Sequence, residues 1–326
     1  MKNQADFHRE CERLDRVEDL ADLIASENCT PGWIRRPTPL LWKDALSVFK
    51  PAHWSYQRLR PALLAACRVI DTVQAERRNF VLRNPVTGND FATTRTLVGA
   101  YQAILPGEQA RSHRHAPHAL RVILESRGAY SVVNGVRHPM ETGDIVLTPG
   151  NHWHGHGHDG EEPALWFDCL DVPLVHLLEP MHLEEDPGDQ GLIRQRVEHS
   201  EMRMPWAETQ ARLAQAHLAA RDSWLGPCVD WSSPMLPTIS IRAHAWQAGW
   251  KSERWSHRAN AIHVVLGGRG ISHIGDHHFE WGFGDVLALP MGYPMAHEAL
   301  EDATVVCLSD EPLMRWAGYY SSKRCD

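Results

Sequence analysis

The apolar positions along this chain fall into two regimes. Over residues 7–26 they recur at helical spacing, with Leu14, Val17, Leu20, Ala21, Leu23 and Ile24 sharing a face. A mixed stretch, LSVFKPAHWSYQRLRPALLAACRVI, follows and predicts a helix after Pro61. Residues 1–75 therefore read as an N-terminal helical arm. From about residue 95 strict alternation takes over. TLVGAYQAILPGE, ALRVILES, GAYSVVNG, DIVLTPG and ALWFDCLDVPL are short alternating runs separated by glycine and proline. That spacing predicts an all-β barrel or sandwich over residues 76–180. Residues 181–234 interrupt it with an acidic, glycine-containing loop and a predicted helix, PWAETQARLAQAHLAARD. Strand patterns resume over 235–326 in TISIRAHAW, AIHVVLGG, GISHIGD, DVLALPMG and TVVCLSDEP.

The two β regions repeat one another. RVILESRGAYSVVNGVRHPMETGDIVLTPGNHWHGH lies over HVVLGGRGISHIGDHHFEWGFGDVLALPMGYPMAHE. Arg127-Gly128 matches Arg269-Gly270, Gly143-Asp144 matches Gly284-Asp285, and Pro149 matches Pro290. A period of about 140 residues is a domain duplication rather than a solenoid repeat.

Histidine is abundant, at 21 residues, and two clusters stand out: HRHAPHALR and NHWHGHGH. Residues two apart in a strand point to the same side, so His113 and His115 can reach one ion from one wall. His154 follows His115 by 39 residues, just beyond the predicted strand GDIVLTP. Two imidazoles from one strand and one from a neighbour make a facial cap that leaves about three positions open on an octahedral metal, an arrangement suited to catalysis. The plain alternative is surface histidines on a hairpin. His152 and His158 are read as solvated bystanders or minor pocket walls.

Composition narrows the function classes. With 43% hydrophobic residues the chain can bury a large core, and a net charge of −8 without a basic run argues against nucleic acid or an anionic membrane as partner. Seven scattered cysteines, at 11, 29, 67, 169, 228, 307 and 325, include no Cys-x-x-Cys and argue against a disulfide framework or a thiolate zinc site. The charged start MKNQADFHRECERLDRVEDLADLI is not a signal peptide, and no apolar run reaches the ~18 residues of a membrane helix. A cytoplasmic location is expected.

The pattern G-x5-H-x-H, then G-D-x4-P and a later histidine, is that of the cupin double-stranded β-helix, although the glutamate usual after H-x-H is replaced here by APHALR. HRHAPHALRVILESRGAY, GDIVLTPGNHWHGHG and FDCLDVPL closely resemble the gentisate dioxygenase family, which includes enzymes cleaving salicylates and 1-hydroxy-2-naphthoate. The resemblance spans roughly residues 70–312. It implies an all-β bicupin with an N-terminal helical arm, an Fe(II) cofactor, and ring opening between the carboxyl-bearing and hydroxyl-bearing carbons of a 2-hydroxybenzoate. It also implies a homotetramer, with a small aromatic carboxylate and O2 as partners.

Position by position, the resemblance assigns His113, His115 and His154 as iron ligands. It places Arg121 at the substrate carboxylate and His156 beside the substrate as an acid, base or hydrogen-bond partner. Arg77, Gln102 and Asp168 fall on positions that line or support the pocket, with Arg78 competing for the place of Arg77. The chemistry is apt: three neutral imidazoles leave a dicationic centre that favours a dianionic chelate, and an arginine offers planar two-point recognition of a carboxylate. In the second copy Trp255, His257 and Met295 stand at the ligand positions, and His263 and His297 stand opposite Arg121 and His156. That copy is expected to serve packing and assembly.

The chain departs from the family at Val98, where a tryptophan is common, and at Ala116, Pro117 and His118 after the H-x-H. A smaller residue at 98 reshapes the aromatic slot and favours salicylates substituted at carbon 5, such as 5-nitrosalicylate, or gentisate itself. Two alternatives remain at this point: another metal-dependent cupin enzyme, or a non-catalytic ligand-binding bicupin.

Overall fold

Alternation sets the strands of this protein, and glycine and proline end them. The computed structural model describes residues 4–35, 40–45, 47–72, 74–75, 77–219 and 225–326. Its first half forms two facing sheets. One contains Ile145–Thr148, Ala119–Glu125, Ala164–Leu170 and Val98–Ile104 in that spatial order; the other contains Gln109–His115, His154–His158, Ala129–Val133 and Val136–Met140. The second half repeats the plan, with Val286–Leu289, Ala261–Gly267, Ala303–Ser309 and Ser240–Trp246 facing His277–Trp281, Gly270–Ile274, Met295–Ala299 and Trp255–His257. Both are cupin barrels, as the duplication predicts.

Contacts divide the chain into the units Met1–Asp44 and Ala45–Asp326. The first carries the helices Gln4–Glu12 and Val17–Ala25. Residues 45–75, assigned from sequence to the arm, fold instead within the second unit. There Ala52–Trp54 pairs with Val286–Leu289 of the second barrel. The helix Tyr56–Val69 begins five residues before Pro61, and its first amide donates to Asp285 Oδ1 at 2.8 Å. The same device recurs at the equivalent place. Arg203–Met204 pairs with Ile145–Thr148 of the first barrel, and the amide of Trp206, which opens the helix Trp206–Ala219, donates to Asp144 Oδ1 at 2.8 Å. Each half thus sends a strand across to the other half's sheet before its helix packs back against its own barrel.

This exchange explains the repeated Gly-Asp pairs. Gly143 and Gly284 have positive φ, and a Cβ on either would collide with the ring of Trp206 or Tyr56 crossing above it. The aspartate then caps the helix that the aromatic residue begins. The repeat is therefore a structural signature rather than a chemical one.

One apolar core joins the barrels. Leu120, Phe167 and Tyr101 of the first pack in the same cluster as Ile241, Ile262 and Val306 of the second. The regions 76–180 and 235–326 are halves of a single packed unit for that reason. A second cluster, including Trp246, Ile274 and Met295, fills the second barrel. A smaller one, including Ile104, Ile123, Met140 and Trp166, forms only the floor of the first. The supposed linker is partly structural too, because Leu183–Glu185 pairs along Gln109–His115. The last residues of its expected helix, 220–222, lie outside the described residues. Among the described residues no helix is long and apolar enough to cross a membrane.

Candidate metal and substrate site

Strand register builds the site. Alternation turns His113 and His115 to one side of Gln109–His115, and a bulge between Ala110 and His113 sets His113 directly opposite His154. The ligand atoms of His113, His115 and His154 all lie within 4.8 Å of one another. His115 Nδ1 donates to the carbonyl of Pro117 and His154 Nδ1 to that of His152, each at 2.9 Å. A carbonyl can only accept, so both rings carry their proton on Nδ1 and turn the Nε2 lone pair to the ligand position.

Burial keeps these rings neutral. It pushes the His113 imidazole down to about 2, aided by Arg77, and that of His115 to about 4. His154 and His156 are lowered well below 6.5, again first by burial and then by Arg121. Neutral imidazoles are the form that binds a cation, and a set of three without a carboxylate suits a first-row divalent metal.

The remaining polar groups descend from this rim towards the apolar floor. His156 shares the inward side of its strand with His154, is 3% exposed, and has no hydrogen-bond partner at either ring nitrogen among the described residues. Its ring lies 5.5 Å from that of Trp166. Arg121 is equally buried and donates from Nη1 to Thr148 Oγ1 at 2.6 Å. Asp168 stands directly across from Arg121 on the neighbouring strand. Its Oδ1 lies 3.3 Å from Arg121 Nε, an ion-pair contact without hydrogen-bond geometry, while its Oδ2 accepts from Trp166 Nε1 at 3.1 Å. Burial raises the Asp168 carboxyl and lowers the Arg121 guanidinium, and the charge of each opposes the shift of the other.

Gln102 pairs in register with Trp166, and Val98 occupies the same side of its strand near the rim, with Tyr101 and Ala103 turned the other way into the shared core. Both are buried. The two adjacent arginines divide. Arg77 Nη1 lies 2.8 and 2.9 Å from the ring nitrogens of His113. Arg78 turns away to Glu108 and to the carbonyls of Cys67 and Ile70. A cavity of about 450 Å³ opens beside His113, lined by Thr72, Gln74, Arg111, Glu185 and Asp186.

Some residues depart from expectation. His158 is buried rather than solvated: Gly160 donates to its Nδ1 at 3.2 Å, and its Nε2 lies 2.5 Å from the carbonyl of Glu162. It is a fixture of the strand end. His152 is half-buried, its Nδ1 bound to the carbonyl of Gly150. Thr148 and Trp166 went unnoticed in the sequence. The signal was there for Trp166, which lies two residues before Asp168 and hence on the same side.

The turn that leads into His154 is tight. A Cβ on Gly150 would run into the carbonyl oxygen of Ala116. Gly150→Ala is expected to lose about 1–3 kcal/mol of stability in chemical denaturation, since backbone on both sides must shift; an unchanged unfolding midpoint would contradict this contact.

In the second barrel Trp255 pairs with Met295 at the register position of His113 and His154. Met295 is buried in the apolar cluster, and no metal-capable group forms there among the described residues. His263 and His297 lie inside with rings 5.1 Å apart, Trp246 stacks on His297, and His244 occupies the place of Gln102. Burial holds His244 down to about 4 and His297 to about 3. In the unfolded chain such rings protonate near 6.5, so between about 4 and 6.5 the unfolded state binds more protons than the folded one. Stability of the metal-free protein is therefore expected to fall as pH drops through that window, by about 1.4 kcal/mol per group for each unit of displacement. Denaturant midpoints measured from pH 7 to pH 5 check the slope; equal midpoints would contradict it.

Comparison with known proteins agrees with this architecture. The Cupin domain family matches residues 100–172. A gentisate 1,2-dioxygenase from Ralstonia sp is 38% identical over 224 residues, covering 61% of this chain and 63% of that protein, somewhat under two thirds of its length. A 5-aminosalicylate 1,2-dioxygenase from Comamonas sp is 30% identical over 340 residues, covering 93% of this chain and 89% of that protein. In fold, the chain superimposes on the structure of salicylate 1,2-dioxygenase from Pseudoaminobacter salicylatoxidans in adducts with gentisate, with a TM-score of 0.84 at 23% identity and 95% of each chain covered. With both the near full-length match and the three-histidine cup in hand, the chain belongs to the gentisate and salicylate 1,2-dioxygenase family of ring-cleaving bicupin oxidoreductases.

Proposed function

We propose that this protein is an Fe(II)-dependent dioxygenase that opens the ring of a 2-hydroxybenzoate between its carboxyl-bearing and hydroxyl-bearing carbons. The substrate is a salicylate substituted at carbon 5, or gentisate, and both atoms of O2 enter the product. The carrying observation is the convergence of three neutral imidazoles, a buried Arg121 and a His156 without a hydrogen-bond partner among the described residues, inside one cup whose twin has lost the set.

His113, His115 and His154 would hold the iron. When bound, a ferrous ion supplies positions for the substrate's carboxylate and phenolate oxygens and a redox link between the ring and dioxygen. The protein's own residues do the rest. Arg121 binds the carboxylate, and Asp168 and Thr148 fix the plane of its guanidinium. Arg77 adds a second cation at the rim. His156 is kept neutral by burial and by these arginines, and a bound anion offsets that effect. Its free nitrogens can then take the phenolic proton or return one to the opening ring. Trp166 and the floor beneath it exclude water. Val98 and Gln102 line the wall where a carbon-5 substituent lies, and the small side chain at 98 leaves room for one.

Anaerobic loading with Fe(II), followed by salicylate, gentisate, 5-aminosalicylate and 5-nitrosalicylate with O2, tests this. One O2 consumed per substrate, with new near-ultraviolet absorbance from the opened ring, is the expected result. Failure to turn over any 2-hydroxybenzoate overturns it.

A further inference from the structure

The two halves exchange a second, smaller contact that the proposed chemistry does not use. Thr238, two residues before the first strand of the second barrel, donates from Oγ1 to Asp171 Oδ2 at 2.6 Å. Asp171 is 1% exposed and follows the last strand of the first barrel. Its Oδ1 accepts from the amide of His118 at 2.8 Å, and His118 Nδ1 accepts from the amide of Gly150 at 3.0 Å. The amide of Asn151 is held by the carbonyl of the ligand His115 at 2.7 Å.

The other half repeats the arrangement. Thr96, two residues before the first strand of the first barrel, donates to Asp310 Oδ2 at 2.6 Å. Asp310 Oδ1 accepts from the amide of Asn260 at 2.7 Å, Asn260 Oδ1 accepts from the amide of Met291 at 3.2 Å, and the amide of Gly292 donates to the carbonyl of His257 at 3.0 Å. Each of these steps has its counterpart in the other chain, with one addition: Asn260 Nδ2 also donates to Asp310 Oδ2 at 2.7 Å, a bond that His118 does not make to Asp171.

The two chains end differently. The one pinned by Thr96 ends on a turn between His257 and Met295, in the barrel where no metal-capable group forms among the described residues. The one pinned by Thr238 ends on the turn that joins two ligands. The segments 115–118 and 150–152 hold the Nδ1 atoms of His115 and His154 through Pro117 and His152, and His118 ties these segments together. The orientation of both imidazoles thus depends on a bracket whose far end belongs to the other barrel.

We infer that the second barrel acts as a scaffold for the metal centre of the first, with Thr238, Asp171 and His118 as positioning residues that hold the ligand turn through one interbarrel hydrogen bond. This rests on the reading of the His113, His115 and His154 set as a metal site. The mirror supplies its own control. Thr238→Val and Thr96→Val remove the same kind of bond, from a hydroxyl to a buried carboxylate, but Asp310 Oδ2 keeps a second donor, Asn260 Nδ2. Both are expected to lower the unfolding midpoint, Thr238→Val the more. Metal binding is expected to separate them.

Titration of the metal-free protein with Fe(II), and separately with Co(II) followed by its visible spectrum, should show Thr238→Val binding about tenfold more weakly than wild type with an altered Co(II) spectrum. Thr96→Val should match wild type, and Thr238→Ser, which keeps the hydroxyl, should recover it. If Thr238→Val and Thr96→Val bind metal with equal affinity, or if Thr238→Ser fails to recover, the inference is overturned. Absence of metal binding by the wild-type protein would instead overturn the metal-site reading beneath it.

Discussion

Replacing His154 with alanine is expected to strip the metal and end turnover while leaving the fold intact. His154 stands in register with His113 and shares a ligand position with it and His115, so its removal leaves two donors from a single strand. Loss of a supporting residue around a metal ligand typically costs about 10- to 100-fold in metal affinity, and loss of the ligand itself should exceed that. His154 is not part of the apolar clusters that hold the barrels together. Far-ultraviolet circular dichroism should therefore stay unchanged while metal content after dialysis, and O2 uptake with substrate, fall to background. A His154→Ala protein that kept both iron and activity would remove the triad from the mechanism. His158→Ala, on the same strand, is the contrast: its ring is tied to backbone at residues 160 and 162, so it should cost stability and spare metal affinity.

Arg121→Lys is expected to keep the charge and lose the function. A lysine ammonium cannot present the planar fork that matches a carboxylate, nor reach Thr148 and Asp168 from one rigid plane. Breaking a buried, hydrogen-bonded charge pair typically costs about 2–5 kcal/mol, which is roughly 30- to 4,000-fold in kcat/KM for a carboxylate substrate. Arg121→Met confounds two effects, because Asp168 is then left buried without its counter-ion and the protein itself weakens. Adding Asp168→Asn removes the stranded charge. The double variant should regain much of the thermal stability lost by Arg121→Met yet none of the activity. Recovery of activity along with stability would show that Arg121 acts through packing alone.

A good part of this site was legible in the sequence for a simple reason. A strand places residues two apart on one side, so His113 with His115, and His154 with His156, were bound to act as pairs. The cupin spacing then brought the pairs together. What periodicity could not show is which of two adjacent residues faces inward where a strand begins. Arg77 and Arg78 are equal in sequence. Tertiary contacts separate them, because Glu108 and the carbonyls of Cys67 and Ile70 draw Arg78 to the back of the barrel. His158 was misjudged because a histidine in a glycine-rich run looks solvated, whereas alternation carries it inward and backbone groups satisfy it.

The N-terminal boundary failed for a related reason. Helical spacing in residues 56–69 is real, and the segment is a helix. Nothing in a linear pattern says that the strand before it crosses to the other barrel and that Asp285 caps it. The same holds for residues 183–185, which carry no alternation long enough to register yet flank the ligand strand.

The sequence by itself determined the two barrels, their duplication, the histidine triad and the loss of that triad in the second copy, since each rests on local spacing and residue type. The tertiary structure alone decided that the barrels are inseparable and that each supplies the other with a strand, a cap and a threonine hydroxyl. Those contacts join residues about 70 to 230 positions apart, paired by the closing of one shared apolar core, and no local period encodes that closure.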